Sequence, residues 1–144
     1  MPVPGRISTF GLRRIRNMTA KPFFSIRQLT SADVNLMKGL LAVFGNAFGD
    51  PETYGGDVPS DFYLEQLLGK KHFIAVVATR DDEVVGGLAA YELEKFERVC
   101  SEIYIYDLAV SQAYRRQGIA IALIDELGRI GAARGAYVMF VQAE

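Results

Sequence analysis

The chain has 144 residues, of which 50% are hydrophobic and 23% are charged, so it is long enough for one domain with a sizeable core. No apolar run approaches the roughly 18 residues that are needed to cross a bilayer. A single cysteine, Cys100, excludes an intrachain disulfide, and a single histidine, His72, disfavours a histidine-based triad or a zinc site. These counts predict a cytoplasmic protein with no membrane partner and no metal.

Charge is distributed unevenly along the chain. Six of the 16 basic residues precede Asp33, and none of the 17 acidic residues does. Residues 33–144 therefore hold ten basic and 17 acidic side chains, a net charge of −7. Such a field favours a cationic partner and disfavours nucleic acid, whose phosphates it would repel.

Residues 1–22 are rich in proline, glycine and arginine and contain no acidic side chain. They lack the long apolar segment of a secretory signal. The pattern predicts a flexible leader over 1–22 ahead of a domain over 23–144. A transit peptide, and a natural start at Met18, stay open as alternatives.

The first elements of the domain follow from periodicity. Residues 24–29 alternate between apolar and polar side chains, which predicts a strand. Thr30 and Asp33 then resemble a capping box with Asp in place of Glu, so the spacing predicts a helix that begins there. Apolar residues recur at helical spacing over 34–48, and core packing is sufficient to explain them.

Glycine and proline predict a loop over 49–61, which holds four carboxylates and no lysine or arginine. One interpretation is a solvated loop that ends in an N-cap at Ser60, before a short helix over 62–68. The other is an acidic lip of a site for a cationic substrate. On the second interpretation four residues are candidate substrate contacts: Asp50, Glu52, Tyr54 and Asp57.

Two further strands are predicted over 73–79 and 84–91, joined as a hairpin by charged residues 80–83. Gly86 and Gly87 inside the second strand indicate a bulge or a close backbone approach. Residues 92–98 then read as a polar connector.

The most informative stretch is 101–134, in which a strand, a donor-rich turn and an amphipathic helix follow one another. The strand is a nearly continuous apolar run to Val110, and the apolar stripe of the helix begins after Gly118. Unpaired N–H groups at a helix start, a glycine and two arginines are suited to a pyrophosphate, although arginines there are also common surface charges. The candidate residues are Arg115, Arg116, Gln117, Gly118, Ile119 and Ala120.

A fifth strand is predicted over 137–141, parallel to the fourth because a helix connects them.

Arg115-x-x-Gly118-x-Ala120 after a strand resembles the acyl-CoA signature of GNAT-type N-acetyltransferases. The larger string SEIYIYDLAV…RRQGIA, with FGDPETY upstream and GAYVMFVQAE downstream, is similar to the aminoglycoside 3-N-acetyltransferases. The resemblance implies an α/β (α+β) fold with a mixed, mostly antiparallel sheet, parallel fourth and fifth strands and flanking helices. That family usually continues with another helix and two strands, so the resemblance also implies a short C-terminal part, whose open edge strand would favour a homodimer.

The resemblance also assigns a cofactor and its contacts. It implies acetyl-CoA, held by its phosphates at 115–120 and by its pantetheine along the backbone of Leu108, Ala109 and Val110. A free N–H at that strand end would polarise the acetyl carbonyl.

Asp107 interrupts an apolar strand, where an unpaired carboxylate is costly. Strand alternation predicts that it shares a face with Ile103 and Ile105, opposite Tyr104 and Tyr106. A structural Asp would cap the next turn or pair with an arginine. A functional Asp would hold the substrate ammonium and remove its proton, and the resemblance favours this catalytic role. Tyr106 is a candidate wall of the substrate cleft.

The leading hypothesis is therefore acetyl-CoA-dependent N-acetylation of the 3-amino group of aminoglycosides such as gentamicin, which would give antibiotic resistance. An enzyme that acts on polyamines or protein amines is the first alternative, and a non-catalytic acyl-CoA-binding module is the second. Direct transfer is favoured over a covalent intermediate, since the one cysteine lies outside the motif.

Overall fold

The computed structural model describes residues 23–141, so the predicted leader over 1–22 lies outside the described residues. Five strands form one sheet in the order β1-β2-β3-β4-β5. The first three pairings are antiparallel, and β4 and β5 are parallel, as predicted. The strands are β1 Ser25–Gln28, β2 Phe73–Arg80, β3 Glu83–Glu94, β4 Ser101–Val110 and β5 Ala136–Val141.

Three α-helices cover the two faces of this sheet. They are α1 Val34–Phe48, α2 Asp61–Leu68 and α3 Ile119–Ala133. One core cluster joins α1 and α2 to the sheet, and a second joins α3 to the opposite face. The strand β2 is buried on both faces, because Ala75 and Val77 belong to the first cluster while Ile74 and Val76 belong to the second. The predicted α/β class with flanking helices is therefore confirmed.

The helix α1 coincides with the apolar stripe predicted over 34–48, but its N-cap is Asp33 and not Thr30. The helix begins at Val34, because the carboxylate of Asp33 turns back and accepts from the N–H of Thr30 at 2.7 Å and from Arg27 at 2.6 Å. The hydroxyl of Thr30 accepts from the N–H of Ala32 and not from that of Asp33. The pair therefore forms one of the two hydrogen bonds of a capping box, that from the N–H of Thr30 to the carboxylate of Asp33, and it closes a turn just before the helix.

The hairpin between β2 and β3 has both the close backbone approach and the bulge that Gly86 and Gly87 indicate. A Cβ on Gly87 would lie 2.5 Å from a methyl carbon of Leu40 and 2.8 Å from the carbonyl oxygen of Val76. Only glycine therefore allows α1 to pack this closely on β3. The register also shifts between Ala78 and Thr79, beside the glycines, which is the expected bulge.

The predicted polar connector begins too early. The strand β3 continues to Glu94, and Glu92 is buried, with only 7% of the residue exposed. Its carboxylate accepts from the hydroxyl of Ser101 at 2.8 Å and from Arg134 at 2.8 Å, while Arg134 also donates to the carbonyl of Lys71. We call Glu92, Ser101 and Arg134 the clamp, since they tie β3, β4 and the end of α3 together.

The helix α3 buries the predicted stripe of Ile119, Leu123, Leu127 and Ile130. Gly135 has a φ of 81°, so the chain leaves the helix through the left-handed region and enters β5, as its position predicts. Within 23–141, no helix has both the length and the apolar character needed to cross a membrane. Over the same range, no three metal-ligating side chains come together.

Candidate active site

A β-bulge in β4 changes the predicted position of Asp107. Asp107 pairs with Ala89, but the next pair is Ala90 with Ile105, so Tyr106 is the extra residue. The bulge reverses the alternation, because Asp107 and the next-but-one Ala109 now face α1 while Ile105 faces α3. The predicted common face of Asp107 and Ile105 is therefore wrong, for a reason that strand alternation alone does not contain.

On this face Asp107 meets a residue that is 53 positions earlier in the chain. The hydroxyl of Tyr54 donates to its Oδ2 at 3.1 Å. Burial raises the pKa of Asp107 above its ordinary value, and the hydrogen bond from Tyr54 opposes this only in part. Within residues 23–141, no arginine or lysine pairs with this carboxylate. It is therefore not the structural ion pair that one interpretation predicts.

Tyr54 belongs to a π-helical turn, Glu52–Gly56, inside the predicted loop. Its ring packs against Phe44 and Phe48 of α1, with centroid separations of 5.8 and 5.6 Å. Burial and the charge of Asp107 raise the pKa of Tyr54 to about 12. The hydroxyl consequently stays protonated at neutral pH and remains a donor.

Tyrosine rings form the rest of the wall around Asp107. Tyr106 is 60% exposed and stands edge-on to Tyr91 and to Tyr104, with centroids 6.0 and 5.9 Å away. Burial, followed by the charges of Tyr106, Tyr63 and Asp107, raises the pKa of Tyr91. Tyr91 was not among the predicted contacts. It lies in β3 directly across from Tyr104, and this position depends on the register of the folded sheet, which the sequence alone does not reveal.

The predicted acidic residues of the loop separate into two groups. Asp50 lies close enough to Tyr54 for its charge to raise the pKa of that tyrosine, and it also caps the turn by accepting from the N–H of Thr53 at 3.2 Å. Glu52 and Asp57 are exposed, and within the described chain neither one hydrogen-bonds to Asp107. The structure therefore brings Tyr54 to Asp107 and Asp50 to Tyr54, whereas the side chains of Asp50, Glu52 and Asp57 are all exposed.

An open groove of about 490 Å³ lies beside this cluster, between the end of α1 and the start of α3. This volume is typical of small-molecule sites, which span about 300–1,000 Å³. The predicted cofactor residues Leu108, Ala109 and Val110 line it. Its other lining residues include most of the predicted cradle and four residues that the sequence did not identify. They are Arg115, Arg116, Gly118, Ile119 and Ala120, with Ala47, Phe48, Tyr114 and Ile121.

The geometry of the cradle fits a diphosphate. Gly118 is the N-cap of α3 with a φ of 85°, no atom lies within 4 Å of where its Cβ would stand, and no side chain caps the first N–H groups. The first turn of α3 contains no acidic residue, so no carboxylate on it competes with an anion for these donors. Arg116 has a φ of 64°, also in the left-handed region, so the turn around Gln117 curves its backbone around that space.

Arg115 makes a contact with the backbone that the sequence does not predict. Its Nε donates to the carbonyl oxygen of Val110 at 3.0 Å, which holds the turn against the end of β4. The side chain still lines the groove, so it adds positive charge there while it fixes the backbone. Arg116 has no ion pair within 23–141 and remains the guanidinium available to an anion.

The groove reaches the edge of β4 because β5 pairs with only the first half of that strand. The last pair is Ile105 with Val141, so residues 106–110 have a strand neighbour only on the β3 side within the described part of the chain. Main-chain groups at this edge can bind an extended ligand, as an added strand would. The open edge therefore begins at the bulge that carries Asp107.

The acetyltransferase (GNAT) family model matches residues 42–144 of this chain. No curated protein matches it. The family match covers the helix α1 from its middle onward, the whole site and the last strand.

Solved structures give a finer comparison. An aminoglycoside acetyltransferase, HMB0005, from an uncultured soil metagenomic sample is 58% identical, with a TM-score of 0.82, over 84% of this chain and 80% of its own. A second from such a sample, meta-AAC0020 in complex with sisomicin, is 33% identical, with a TM-score of 0.77, over 85% and 78%. A ribosomal-protein-alanine N-acetyltransferase from Brucella melitensis is 27% identical, with a TM-score of 0.65, over 84% and 80%.

Proposed function

Since this chain belongs to the acetyltransferase (GNAT) family, we propose that it transfers the acetyl group of acetyl-CoA to the 3-amino group of an aminoglycoside. The two soil acetyltransferases support the substrate class, because both are described as aminoglycoside enzymes and one is in complex with sisomicin. One observation carries the proposal: the groove below the start of α3 ends beside Asp107, a partly buried strand carboxylate that has no cationic partner in the described chain.

The residues that would hold acetyl-CoA are those of the groove. The N–H groups after Gly118 and the guanidinium of Arg116 would bind its diphosphate, and the open edge over 108–110 would bind its pantetheine. When bound, acetyl-CoA supplies the thioester from which an amine takes the acetyl group. A main-chain N–H in 108–110 would polarise the carbonyl at that position.

Asp107 removes the positive charge of the acceptor amine. An amine attacks only as the neutral base, so the substrate ammonium must first lose a proton. The partly buried carboxylate attracts the ammonium and takes that proton, directly or through water, because its raised pKa makes it a better base than an exposed Asp. The exposed ring of Tyr106 and the carboxylate of Asp50 are the neighbouring contacts for a polycationic sugar.

The proposal is tested with a panel of amines and acetyl-CoA, followed by thiol release. We expect turnover with gentamicin or sisomicin and a product that NMR shows to be acetylated on the 3-amino group. Acetylation at the 6′-amino group would keep the substrate class and refute the position. The similarity to the ribosomal-protein-alanine enzyme makes a peptide with an N-terminal alanine the second acceptor to include.

Preference for that peptide or for spermidine would reject the antibiotic as the substrate. Coenzyme A that binds while no amine turns over would indicate a binding module instead. The homodimer and the cytoplasmic location stay predictions, which size-exclusion chromatography with light scattering and cell fractionation would test.

A further inference from the structure

The hydrogen bond between Tyr54 and Asp107 has a role beyond lining the cleft. We infer that Tyr54 is a positioning residue that holds the carboxylate of Asp107 in one orientation, with Oδ2 occupied and Oδ1 directed to the acceptor amine. The inference rests on the proposed function, because it presumes that Asp107 is the base. It replaces the direct substrate contact that the sequence predicts for Tyr54.

The first argument is the origin of the hydrogen bond. The tyrosine comes from a surface turn and the carboxylate from the middle of the domain's sheet, 53 residues later, and the oxygens are 3.1 Å apart. The bulge at Tyr106 is what turns Asp107 to the face that Tyr54 reaches. Without the bulge, the alternation of the strand would direct the carboxylate to the opposite face, toward α3.

The second argument is that the hydroxyl is held independently of Asp107. Phe44 is 1% exposed, and with Phe48 it fixes the ring from the side of α1. The N–H of Asp50 donates to the carbonyl of Gly45, which anchors the start of the turn to the same helix. A donor placed by a core helix can fix an acceptor, whereas a freely moving surface side chain would only follow it.

The third argument is that Tyr54 is the hydrogen-bond partner of Asp107 in the part of the chain that the structure describes. A carboxylate has two oxygens and rotates about two bonds, so a single donor to one oxygen selects one orientation. The second oxygen then keeps its lone pairs for an ammonium or a water. An arginine in place of Tyr54 would instead neutralise the base.

The test uses Tyr54→Phe, which keeps the ring between Phe44 and Phe48 and removes only the hydroxyl. The loss of one hydrogen bond to the base predicts a kcat about threefold to tenfold lower with saturating aminoglycoside, and an unchanged Kd for CoA. Because the lost donor favours the ionised form, the acid limb of the pH–rate profile moves to higher pH. Tyr137→Phe is the matched control, since it removes a 2.9 Å tyrosine–carboxylate hydrogen bond, to Glu102, at the far end of β4.

The acid limb of the pH–rate profile can be attributed to Asp107 by comparison with the titratable groups that surround it. The titratable groups that face it or its tyrosine from the turn, α2, β3 and β4 are Asp50, Tyr54, Tyr63, Tyr91 and Tyr106. Hydrogen bonds from Thr53 lower the pKa of Asp50, whereas burial raises the pKa of Asp107, so the two carboxyls shift in opposite directions. Burial raises the pKa of Tyr91 and, with the charge of Asp107, that of Tyr54, which moves both tyrosines away from the acid limb. Carboxyl NMR of the ligand-free protein measures the same shift without any turnover.

Three results decide the inference. A lower kcat together with an acid limb and an NMR pKa for Asp107 that rise in Tyr54→Phe, but not in Tyr137→Phe, supports it. An unchanged limb and an unchanged NMR pKa overturn it, whether or not the kcat falls. If the wild-type protein acetylates no aminoglycoside, the proposed function fails, and the role of Tyr54 in catalysis fails with it. The NMR titration would then still report whether the hydrogen bond orients the carboxylate.

Discussion

Two carboxylates of the sheet have opposite surroundings: Glu92 of β3, which pairs beside the start of β4, and Asp107 near the end of β4. At the start of the strand, Glu92 is bound by Arg134 and Ser101, and the side chain is 5% exposed. Burial raises the pKa of Glu92, but the hydrogen bonds of those two partners more than offset it, so the pKa lies below the ordinary value. At the other end, the donor to Asp107 within residues 23–141 is a neutral hydroxyl, and the pKa of Asp107 is raised.

This difference separates a carboxylate that holds the fold from one that is available to a substrate. A base must be free to take up a proton, and a strong cationic partner would prevent it. Within the part of the chain that the structure describes, the end of β4 without such a partner is also the end that lies beyond the last pair with β5, and the groove opens there. The clamp therefore lies at one end of β4, and the groove lies at the other.

The largest expected effect comes from breaking the clamp. Arg134→Met leaves Glu92 buried without its cation, which costs about 3 kcal/mol of unfolding free energy. Urea denaturation measures the loss. The matched control is Arg129→Met, which removes an exposed i,i+3 pair with Glu126 and is expected to leave the stability almost unchanged. Equal losses in the two variants would show that the clamp contributes no more than a surface pair.

The second largest effect is expected on CoA binding in the groove. Gly118→Asp places a negative side chain at the mouth of the cradle, at a φ of 85°, and is expected to weaken CoA binding by about tenfold or more, or 1.4 kcal/mol. Isothermal titration measures it. Gly118→Asn has a similar shape and a similar tolerance of the left-handed region, so it separates charge from strain. If both variants bind CoA like the wild type, the diphosphate lies elsewhere.

The smallest effect is the pH dependence of stability, in which the two carboxylates have opposite signs. The folded pKa of Glu92 lies below 4.5, so its contribution is complete above pH 4.5 and is lost as the pH falls through the folded value. The folded pKa of Asp107 lies above 3.8, so the folded state binds that proton more tightly and stability falls as the pH rises through the folded value.

Because the two pKa values shift in opposite directions, replacing each carboxylate with an amide is expected to have a different effect on the Tm at pH 7. Glu92→Gln is expected to lower the Tm, and the deficit to narrow below pH 4. Asp107→Asn is expected to leave the Tm unchanged or to raise it by a degree or two, since it removes a desolvated charge. Thermal unfolding followed by circular dichroism from pH 3 to pH 7 measures both. A Tm that falls equally in both variants would remove the distinction between them.

Much of this arrangement follows from local sequence. The strands, the crossover helix α3 and the donor-rich start at Gly118 all depend on periodicity and on residue types that are adjacent in the chain. The bulge at Tyr106 does not, because it arises from the register between β4 and β3, and an apolar ten-residue strand carries no mark of it. The exception in that strand, Asp107, identified the position of the site but not its face.

The clamp and the Tyr54–Asp107 hydrogen bond were beyond the sequence for a related reason. Glu92 stands in a charged run that resembles a surface connector, and its partner Arg134 follows 42 residues later. Tyr54 was identified as a site residue only through the acidic loop around it. In both cases the chemistry of the residue was visible, whereas the partner that defines its role is brought to it by the folded sheet.

The most direct test of the account is the turnover of Asp107→Asn with saturating acetyl-CoA and aminoglycoside, measured together with its CoA affinity and its Tm. We predict that kcat falls at least tenfold, about 1.4 kcal/mol of barrier, while CoA binding is unchanged and the Tm is not lowered. Turnover close to that of the wild type would contradict the account, because it would return Asp107 to a structural role and leave the open end of β4 without a base.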